Sequence, residues 1–277
     1  MTYRDILVYV DATPACAARL DVGAILASAQ DAHLVALHVD TPPYMPADLL
    51  GTGVTAELAE WHVRMRKERT EVTQQAVKAA EQRQGVSYEW RKVGGMIDDA
   101  LLDHGRYADL IILSQDGSLT DLETPIDPRA GAIAIAAGRP VLVVPRDFKG
   151  KTCGKRILVA WKPSAEATRA VHDALPLLLQ ADSVTVMRVN PDPGEPAHNP
   201  GFDLAKHLAR HGVQVTVMPV TAPDQSAGGI IAKQARELDA DLIVMGAYGH
   251  SRLRELVFGG ATRSMLQAPP VPVLMAR

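Results

Sequence analysis

The sequence predicts an α/β protein made of two similar halves, each a parallel sheet with helices on both faces. Short runs rich in Val, Ile and Leu alternate with helical stretches along the whole chain. Runs of this kind between helices are typical of strands that are buried on both faces of a parallel sheet. The same alternation also occurs twice, and several runs of the first half recur almost unchanged in the second.

The internal repeat is clearest at three strands. The first strands are offset by 151 residues, from position 5 to position 156, and the later strands by 132, from position 108 to position 240. The offset shrinks because the first half is longer between its first and fourth strands. The matching runs are DILVYV (Asp5–Val10) with RILVAW (Arg156–Trp161), ADLIIL (Ala108–Leu113) with ADLIVM (Ala240–Met245), and PVLVVPR from Pro140 with PVPVLMAR, in which Pro272 is the counterpart of Pro140.

A polar segment with two glycines, RDFKGKTCGKR, separates the two halves and is typical of a linker. We therefore predict one domain at residues 1–148 and a second at residues 154–277.

Within each half, the pattern predicts five strands and their intervening helices. The first half reads, in order, ILVYV (strand), PACAARLDVGAILASAQ (helix), HLVALHV (strand), a long polar helix at about 56–84, VSYEWRKV (strand), IDDALLDHGRY (helix), DLIIL (strand), AGAIAIAAG (helix) and PVLVV (strand). The second half repeats this order as ILVAW, a helix through AVHDALPLLL, SVTVMRV, a helix through FDLAKHLARHG, VQVTVMPV, a helix through IIAKQARELDA, DLIVM, a helix through ATRSMLQ, and PVLMA.

Composition excludes several function classes. The formal net charge of −3 and the aromatic content of 4% give no basis for binding nucleic acid or an acidic membrane surface. The sequence has no apolar run long enough to span a bilayer. Its start, MTYRDILVYVD, enters a strand directly, so we expect a cytoplasmic protein. Cys16 and Cys153 lack the spacing of metal ligands or of a redox pair.

Glycines mark the most informative loop, GAYGHSRLRELVFGG, which follows the strand ADLIVM of the second half. Gly246 and Gly249 would expose backbone N–H groups at the carboxyl end of that strand, where parallel sheets bind ligands. Gly259 and Gly260 would begin the next helix, whose free N–H groups and dipole attract anions such as phosphate. Spacing alone fits simple tight turns equally well. The hydroxyls of Ser251 and Thr262 would add hydrogen-bond donors.

The pattern Gly-x2-Gly-x9-Gly, filled by Gly246, Gly249 and Gly259, resembles the ATP-binding signature of the universal stress protein family. The resemblance covers the whole chain as two tandem domains. It implies, for each domain, a five-stranded parallel sheet of order 3-2-1-4-5. Because family members pair through their fifth strands, it also implies that the two domains pack as a pseudo-dimer.

The resemblance further implies an adenine-nucleotide site in the second half. Val189 would line the pocket of the adenine and ribose, and Met245 and Gly246 would contact the sugar and phosphates. The residues that the resemblance places around the phosphate chain are Gly249, His250, Ser251, Gly259, Gly260, Ala261 and Thr262.

Two positions of the second half depart from the family pattern. Gly260 stands where the signature has Ser or Thr, so one hydroxyl donor is missing. Lys162 stands where ATP-binding members carry an Asp that holds the adenine. A lysine cannot accept a hydrogen bond, although it can reach a phosphate as a point charge.

The first half departs in the opposite way, because it keeps the Asp, as Asp11, and loses the glycines. Ser114, Gly117 and Asp127 occupy the positions that match Gly246, Gly249 and Gly259. Carboxylates in this loop would repel a triphosphate, so we predict that this half does not bind ATP at the family position. We prefer a surface loop with helix-capping acids to a metal site. The acidic residues are Asp116, Asp121, Glu123 and Asp127.

A histidine pair, His207 and His211, has the i, i+4 spacing that can bind zinc on a helix. No third ligand lies nearby in the sequence, so a solvated helix end is the preferred interpretation and no metal is predicted.

The leading hypothesis is a stress-response protein that binds ATP or another adenine nucleotide in its second domain and acts as a regulatory or protective module. No nucleophile with an adjacent base is recognisable, so we expect no enzyme, or at most slow incidental ATP hydrolysis. The alternative is a scaffold that docks protein partners without nucleotide. A weaker third hypothesis is an enzyme with Asp11 as its acid–base group. Association of two chains into a homodimer stays open.

Overall fold

The computed structural model describes residues 2–41, 56–116, 129–189, 200–247 and 260–277. Ten strands in this part of the chain form one sheet. In chain order they are β1 (Asp5–Val10), β2 (His33–Asp40), β3 (Glu89–Gly94), β4 (Leu110–Ser114), β5 (Val141–Val144), β6 (Arg156–Ala160), β7 (Ser183–Val189), β8 (Val215–Val220), β9 (Leu242–Gly246) and β10 (Val273–Ala276).

The helices of the described residues alternate with these strands. They are α1 (Ala15–Gln30), α2 (Ala56–Gln84), α3 (Ile97–Gly105), α4 (Ala130–Ala136), α5 (Ala165–Asp173), α6 (Leu175–Leu178), α7 (Pro200–Arg210), α8 (Ala227–Glu237) and α9 (Gly260–Gln267).

The sheet confirms the predicted topology. Its strand order is β3-β2-β1-β4-β5-β10-β9-β6-β7-β8, so each half has the order 3-2-1-4-5 and its own strands are parallel. The two halves meet where β5 and β10 pair antiparallel, with Leu142 opposite Leu274. The expected pseudo-dimer therefore exists within one chain, joined through its fifth strands.

Alternation along the strands divides the core between the two faces of the sheet. On β1, Ile6 and Val8 belong to one buried cluster, and Leu7 and Tyr9 belong to the other. Helices cover both faces, which is why the strands are apolar on both sides.

One predicted helix is broken in the structure. The sequence predicts a single helix through AVHDALPLLL, but α5 ends at Asp173 and the short helix α6 follows, with Pro176 in its first turn. Proline has no N–H group to continue the helical hydrogen bonds, and it is tolerated only at a helix start.

A buried aspartate near the start of β9 ties this strand to the beginning of β6. Oδ1 of Asp241 accepts hydrogen bonds from the backbone N–H groups of Gly154, Lys155 and Arg156 at 3.1, 2.9 and 2.9 Å. Asp109 has the corresponding position in the first half, and its Oδ2 accepts from the N–H of Arg4 at 2.7 Å. The repeat thus extends from strands to the side chains that join them.

Candidate functional site

The winding of each half reverses between its first and fourth strands. In the first half β1 lies between β2 and β4, and in the second half β6 lies between β7 and β9. Ligands of parallel α/β sheets bind beyond the carboxyl ends of the strands at such a reversal. Each half therefore has one candidate crevice, at β1/β4 and at β6/β9.

Four residues predicted for the nucleotide site surround the β6/β9 crevice. Met245 and Gly246 end β9, and Met245 is paired with Ala160 of β6. Lys162 follows β6 and is exposed, and Val189 is the half-buried last residue of β7. The parallel register brings these positions to one edge of the sheet, as the sequence predicts.

The helix predicted to bind phosphate also forms in this half. Helix α9 begins at Gly260, which is exposed, and continues through half-buried Ala261 and buried Thr262. The hydroxyl of Ser264 donates to the carbonyl oxygen of Gly260 at 2.8 Å. Four of the predicted phosphate ligands, Gly249, His250, Ser251 and Gly259, lie outside the described residues.

The glycine at the end of β9 has a steric role. A Cβ on Gly246 would lie 2.5 Å from the backbone nitrogen of Ala167 and 2.8 Å from the carbonyl carbon of Glu166. Helix α5 starts here, capped by Ser164, whose Oγ accepts a hydrogen bond from the N–H of Ala167 at 3.2 Å. The start of α5 thus packs directly on the β9 backbone because position 246 has no side chain.

Two polar groups close to Lys162 and Gly246 were missed by sequence reasoning. Nε1 of Trp161 and Oε2 of Glu166 are both buried, and neither has a hydrogen-bond partner among the described residues. Buried polar groups are nearly always paired, so these two mark a place where a further partner is expected. No pattern in the sequence distinguishes them from ordinary strand-end and helix-start residues.

The crevice of the first half contains an arginine that sequence analysis did not identify. Arg19 of α1 is 1% exposed. Its Nη2 lies 2.8 Å from Oδ1 of Asp11, and its Nε donates to the carbonyl oxygen of Tyr9 at 2.7 Å. Its Nη1 donates to the hydroxyl of Ser114 at the end of β4. The guanidinium therefore joins the ends of β1 and β4, which are the two walls of the crevice.

Electrostatics keep this arginine charged. Burial alone would lower the pKa of Arg19, but the adjacent Asp11, with smaller effects from Cys16 and Tyr9, raises it. Asp11 is further fixed because its Oδ1 accepts from the backbone N–H and the hydroxyl of Thr13 at 2.9 and 2.6 Å. Oδ1 of Asp11 is thus bound by Arg19 and Thr13, whereas its buried Oδ2 has no hydrogen-bond partner among the described residues.

In the first half, a carboxylate of the chain itself occupies the helix start where an anion would bind. Oδ1 of Asp116 accepts a hydrogen bond from the N–H of Ala130, the first residue of α4, at 2.7 Å. For Asp116, this confirms the expected capping role. The remaining acids and the glycine of this loop, Asp121, Glu123, Asp127 and Gly117, lie outside the described residues.

The second half lacks the arginine. By the repeat offset, Ala170 stands where the first half has Arg19, and Gly246 stands where it has Ser114. Ala170 is fully buried. The two halves thus share a fold, but within the described residues an internal ion pair is seen in the first crevice and not in the second.

Two cavities lie elsewhere on the described residues. One, of about 410 Å³, lies beside β2, β3 and α2. Its Asp40 is already bound by Arg66 at 2.7 Å, and the hydrogen bond from Arg66, followed by that from Lys92, lowers the pKa of Asp40 to about 2. The other, of about 260 Å³, lies between the halves near the amino ends of the strands and includes Tyr3 and His172.

The described residues also bear on metal binding and membrane insertion. As the side chains stand, no three His, Cys, Asp or Glu residues of the described chain form a group able to hold a metal ion. None of the helices in the described ranges has the length and apolar character needed to cross a membrane.

The fold and the repeated crevices define a tandem, doubly wound α/β protein. The model of the universal stress protein family matches residues 2–145 and again residues 154–277. The chain therefore belongs to the universal stress protein family, as two tandem domains.

Individual relatives agree with this assignment. Universal stress protein Slr1230 of Synechocystis sp. is 30% identical over 188 residues, which cover 66% of this chain and 63% of the relative. The chain thus spans less than two thirds of that relative's length.

Solved structures show the same fold. A universal stress protein from Archaeoglobus fulgidus matches with a TM-score of 0.75 at 16% identity, covering 99% of this chain and 96% of its own. A Pseudomonas aeruginosa protein of unknown function matches with a TM-score of 0.59 at 16% identity, covering 99% and 92%.

Loss of the buried arginine should destabilise the first domain strongly. In Arg19→Met, the carboxylate of Asp11, whose side chain is 14% exposed, loses its cation, and breaking a buried pair typically costs about 3–5 kcal/mol. Chemical denaturation measures the change in the free energy of unfolding. The control Arg4→Met removes an exposed ion pair with Asp31 and should change stability little. Equal effects of the two substitutions would contradict a structural role for the Arg19 pair.

The two glycines of the second crevice should respond differently to a methyl group. Gly246→Ala forces backbone to move, and overpacking of this kind costs about 1–3 kcal/mol. Gly260→Ala meets no heavy atom of the described residues within 4 Å, so it should leave thermal unfolding nearly unchanged. A Gly246→Ala protein as stable as Gly260→Ala would show that α5 does not pack on β9 as described.

Proposed function

We propose that this chain is a stress-response regulator that binds one adenine nucleotide, in its second domain only. The proposal rests on the difference between the two crevices. In the first, Arg19 and Asp116 already supply the cation and the anion that a ligand would need to replace. In the second, the arginine position is Ala170 and the helix α9 begins with exposed Gly260.

The chemistry of the second crevice supports a nucleotide. The N–H groups in the first turn of α9 have no partner within the helix and suit a phosphate, and Thr262 lies in that turn. Exposed Lys162 adds a positive charge at the same edge of the sheet.

A carboxylate is also present near the crevice, although Lys162 replaces the expected one. Glu166 lies in the first turn of α5, and its buried Oε2 has no hydrogen-bond partner among the described residues. Nε1 of Trp161 is a second unpaired group, and it can only donate. Together they offer one acceptor and one donor of the kind that fixes the edge of a base.

Regulation rather than turnover is the proposed role. A bound nucleotide would order the loop between β9 and α9 and so change how the protein assembles or meets partners. Asp11, the acid that an acid–base enzyme would use here, is held by Arg19 and Thr13, which disfavours that hypothesis. Any ATP hydrolysis should be slow.

The scaffold hypothesis remains the alternative, and a specific observation favours it. Gly246 is packed tightly against the start of α5, which leaves no room for a ligand at that point of the strand end. A scaffold would use the pseudo-dimer for docking and would give no response to nucleotide.

Nucleotide binding should be lost when a negative charge is placed at the start of α9. The Cβ of Gly260→Asp meets no heavy atom of the described residues, but its carboxylate would repel phosphate, whereas Gly260→Asn has nearly the same shape without the charge. We expect about one ATP, ADP or AMP per chain in the small molecules released from freshly purified wild type. Calorimetric titration should show ATP binding to wild type and to Gly260→Asn, and a large loss in Gly260→Asp.

Two outcomes would overturn the proposal. One is no released nucleotide and no heat of binding at ATP concentrations up to about 1 mM, which would favour the scaffold. The other is equal binding by Gly260→Asp and Gly260→Asn, which would place the phosphates elsewhere. The related changes Gly249→Asp and Gly259→Asp carry the same charge into the rest of the loop.

A further inference from the structure

Three histidines of the second domain, named here the histidine cluster, meet on the surface between α5 and α7. They are His172 in the last turn of α5, His207 in the last turn of α7 and His211 just after it. The ring centroids lie 5.2 Å apart for His172 and His207, 4.9 Å for His207 and His211, and 6.5 Å for His172 and His211. The structure therefore supplies the third histidine that sequence spacing around His207 and His211 did not reveal.

These separations are close to those of a metal site. Three imidazoles on one tetrahedral ion, with metal–nitrogen bonds of about 2.0–2.1 Å, have ring centroids roughly 5 Å apart. Two of the three pairs already lie near this distance. The third pair, His172 with His211, joins two exposed residues whose rings can rotate about their side-chain torsions.

The central ring of the cluster has an unused ligand atom. Nε2 of His207 is buried and has no hydrogen-bond partner within the described residues. A buried imidazole nitrogen without a partner is unfavourable, and coordination to a metal ion would satisfy it.

Charges around the cluster are mixed. Arg210 and Arg169 lie near it and disfavour a cation, whereas the neighbouring carboxylate of Asp173 favours one. Burial, followed by the effects of His172 and His211, lowers the pKa of His207.

We propose that the histidine cluster binds one divalent transition-metal ion, such as Zn²⁺ or Ni²⁺, after rotation of the exposed rings. As the rings stand they do not form a completed metal-binding group, so binding requires this rearrangement. Imidazole suits these ions, and the site would join α5 to α7. His172 also lines the cavity at the amino ends of the strands, so the site lies away from the nucleotide crevice and is independent of it.

The test is calorimetric titration of the chelator-treated full chain with Zn²⁺ and with Ni²⁺, without nucleotide, at about pH 7.5 where imidazoles are neutral. Wild type should bind one ion per chain. His172→Gln and His207→Gln should each weaken binding by roughly 10- to 100-fold or more, since even second-shell changes have effects of that size. The control His33→Gln alters an exposed histidine that pairs with Glu89 and should bind as wild type does.

Thermal unfolding provides a second readout. Added Zn²⁺ should raise the melting temperature of wild type and of His33→Gln but not of His207→Gln, because the ion stabilises only a protein that binds it. Absence of binding would overturn the proposal, as would affinity that survives both His172→Gln and His207→Gln. An effect of His207→Gln without any effect of His172→Gln would show a two-histidine chelate and would also overturn the three-histidine site.

Discussion

The antiparallel pairing of β5 with β10 is the constraint on which the rest of the molecule depends. Each half alone would leave its fifth strand as an exposed edge, and such edges invite aggregation. Pairing Val141–Val144 with Val273–Ala276 removes both edges and makes one continuous sheet. The strands of the two halves then run in opposite directions. The carboxyl ends of the first-half strands and those of the second-half strands therefore point to opposite sides of the sheet. The two crevices are therefore separated, and each can change without disturbing the other.

That separation explains how one fold can hold two different crevices. In the first half, Arg19, Asp11 and Ser114 join the strand ends, and Asp116 caps α4. These contacts are intramolecular, so they require no ligand and they stabilise the domain at all times. In the second half, Ala170, Lys162 and Gly246 stand at the positions of Arg19, Asp11 and Ser114. A domain that stabilises its own crevice is suited to support a partner domain whose crevice is left for a ligand.

Sequence reasoning predicted the fold well because the fold follows from local and repeated features. Apolar runs such as DLIIL and DLIVM form strands wherever they occur, and a duplicated pattern implies a duplicated domain. The break between α5 and α6 was missed because the apolar periodicity continues through Pro176. A proline at a helix start and a proline inside a helix look alike in a periodic pattern.

The site was less predictable because it depends on contacts between distant residues. The glycines and Lys162 are visible in the loops that follow strands, and the structure places Met245, Gly246 and Val189 at the expected edge. Arg19 lies in an alanine-rich helix, where a charged residue is normally solvated, and only the fold brings it to Asp11 and Ser114. His172 likewise reaches His207 only through the packing of two helices.

The central claim is that one crevice of the pair accepts an adenine nucleotide and the other is occupied by the chain's own side chains. Photo-crosslinking with an azido-adenine nucleotide, followed by mass spectrometry of the labelled peptides, tests it directly. The account predicts labelling in peptides from residues 154–277 that excess ATP suppresses. Two results would contradict it. One is labelling of peptides that contain Asp11 or Arg19, if excess ATP suppresses that labelling. The other is that excess ATP suppresses no labelling anywhere in the chain.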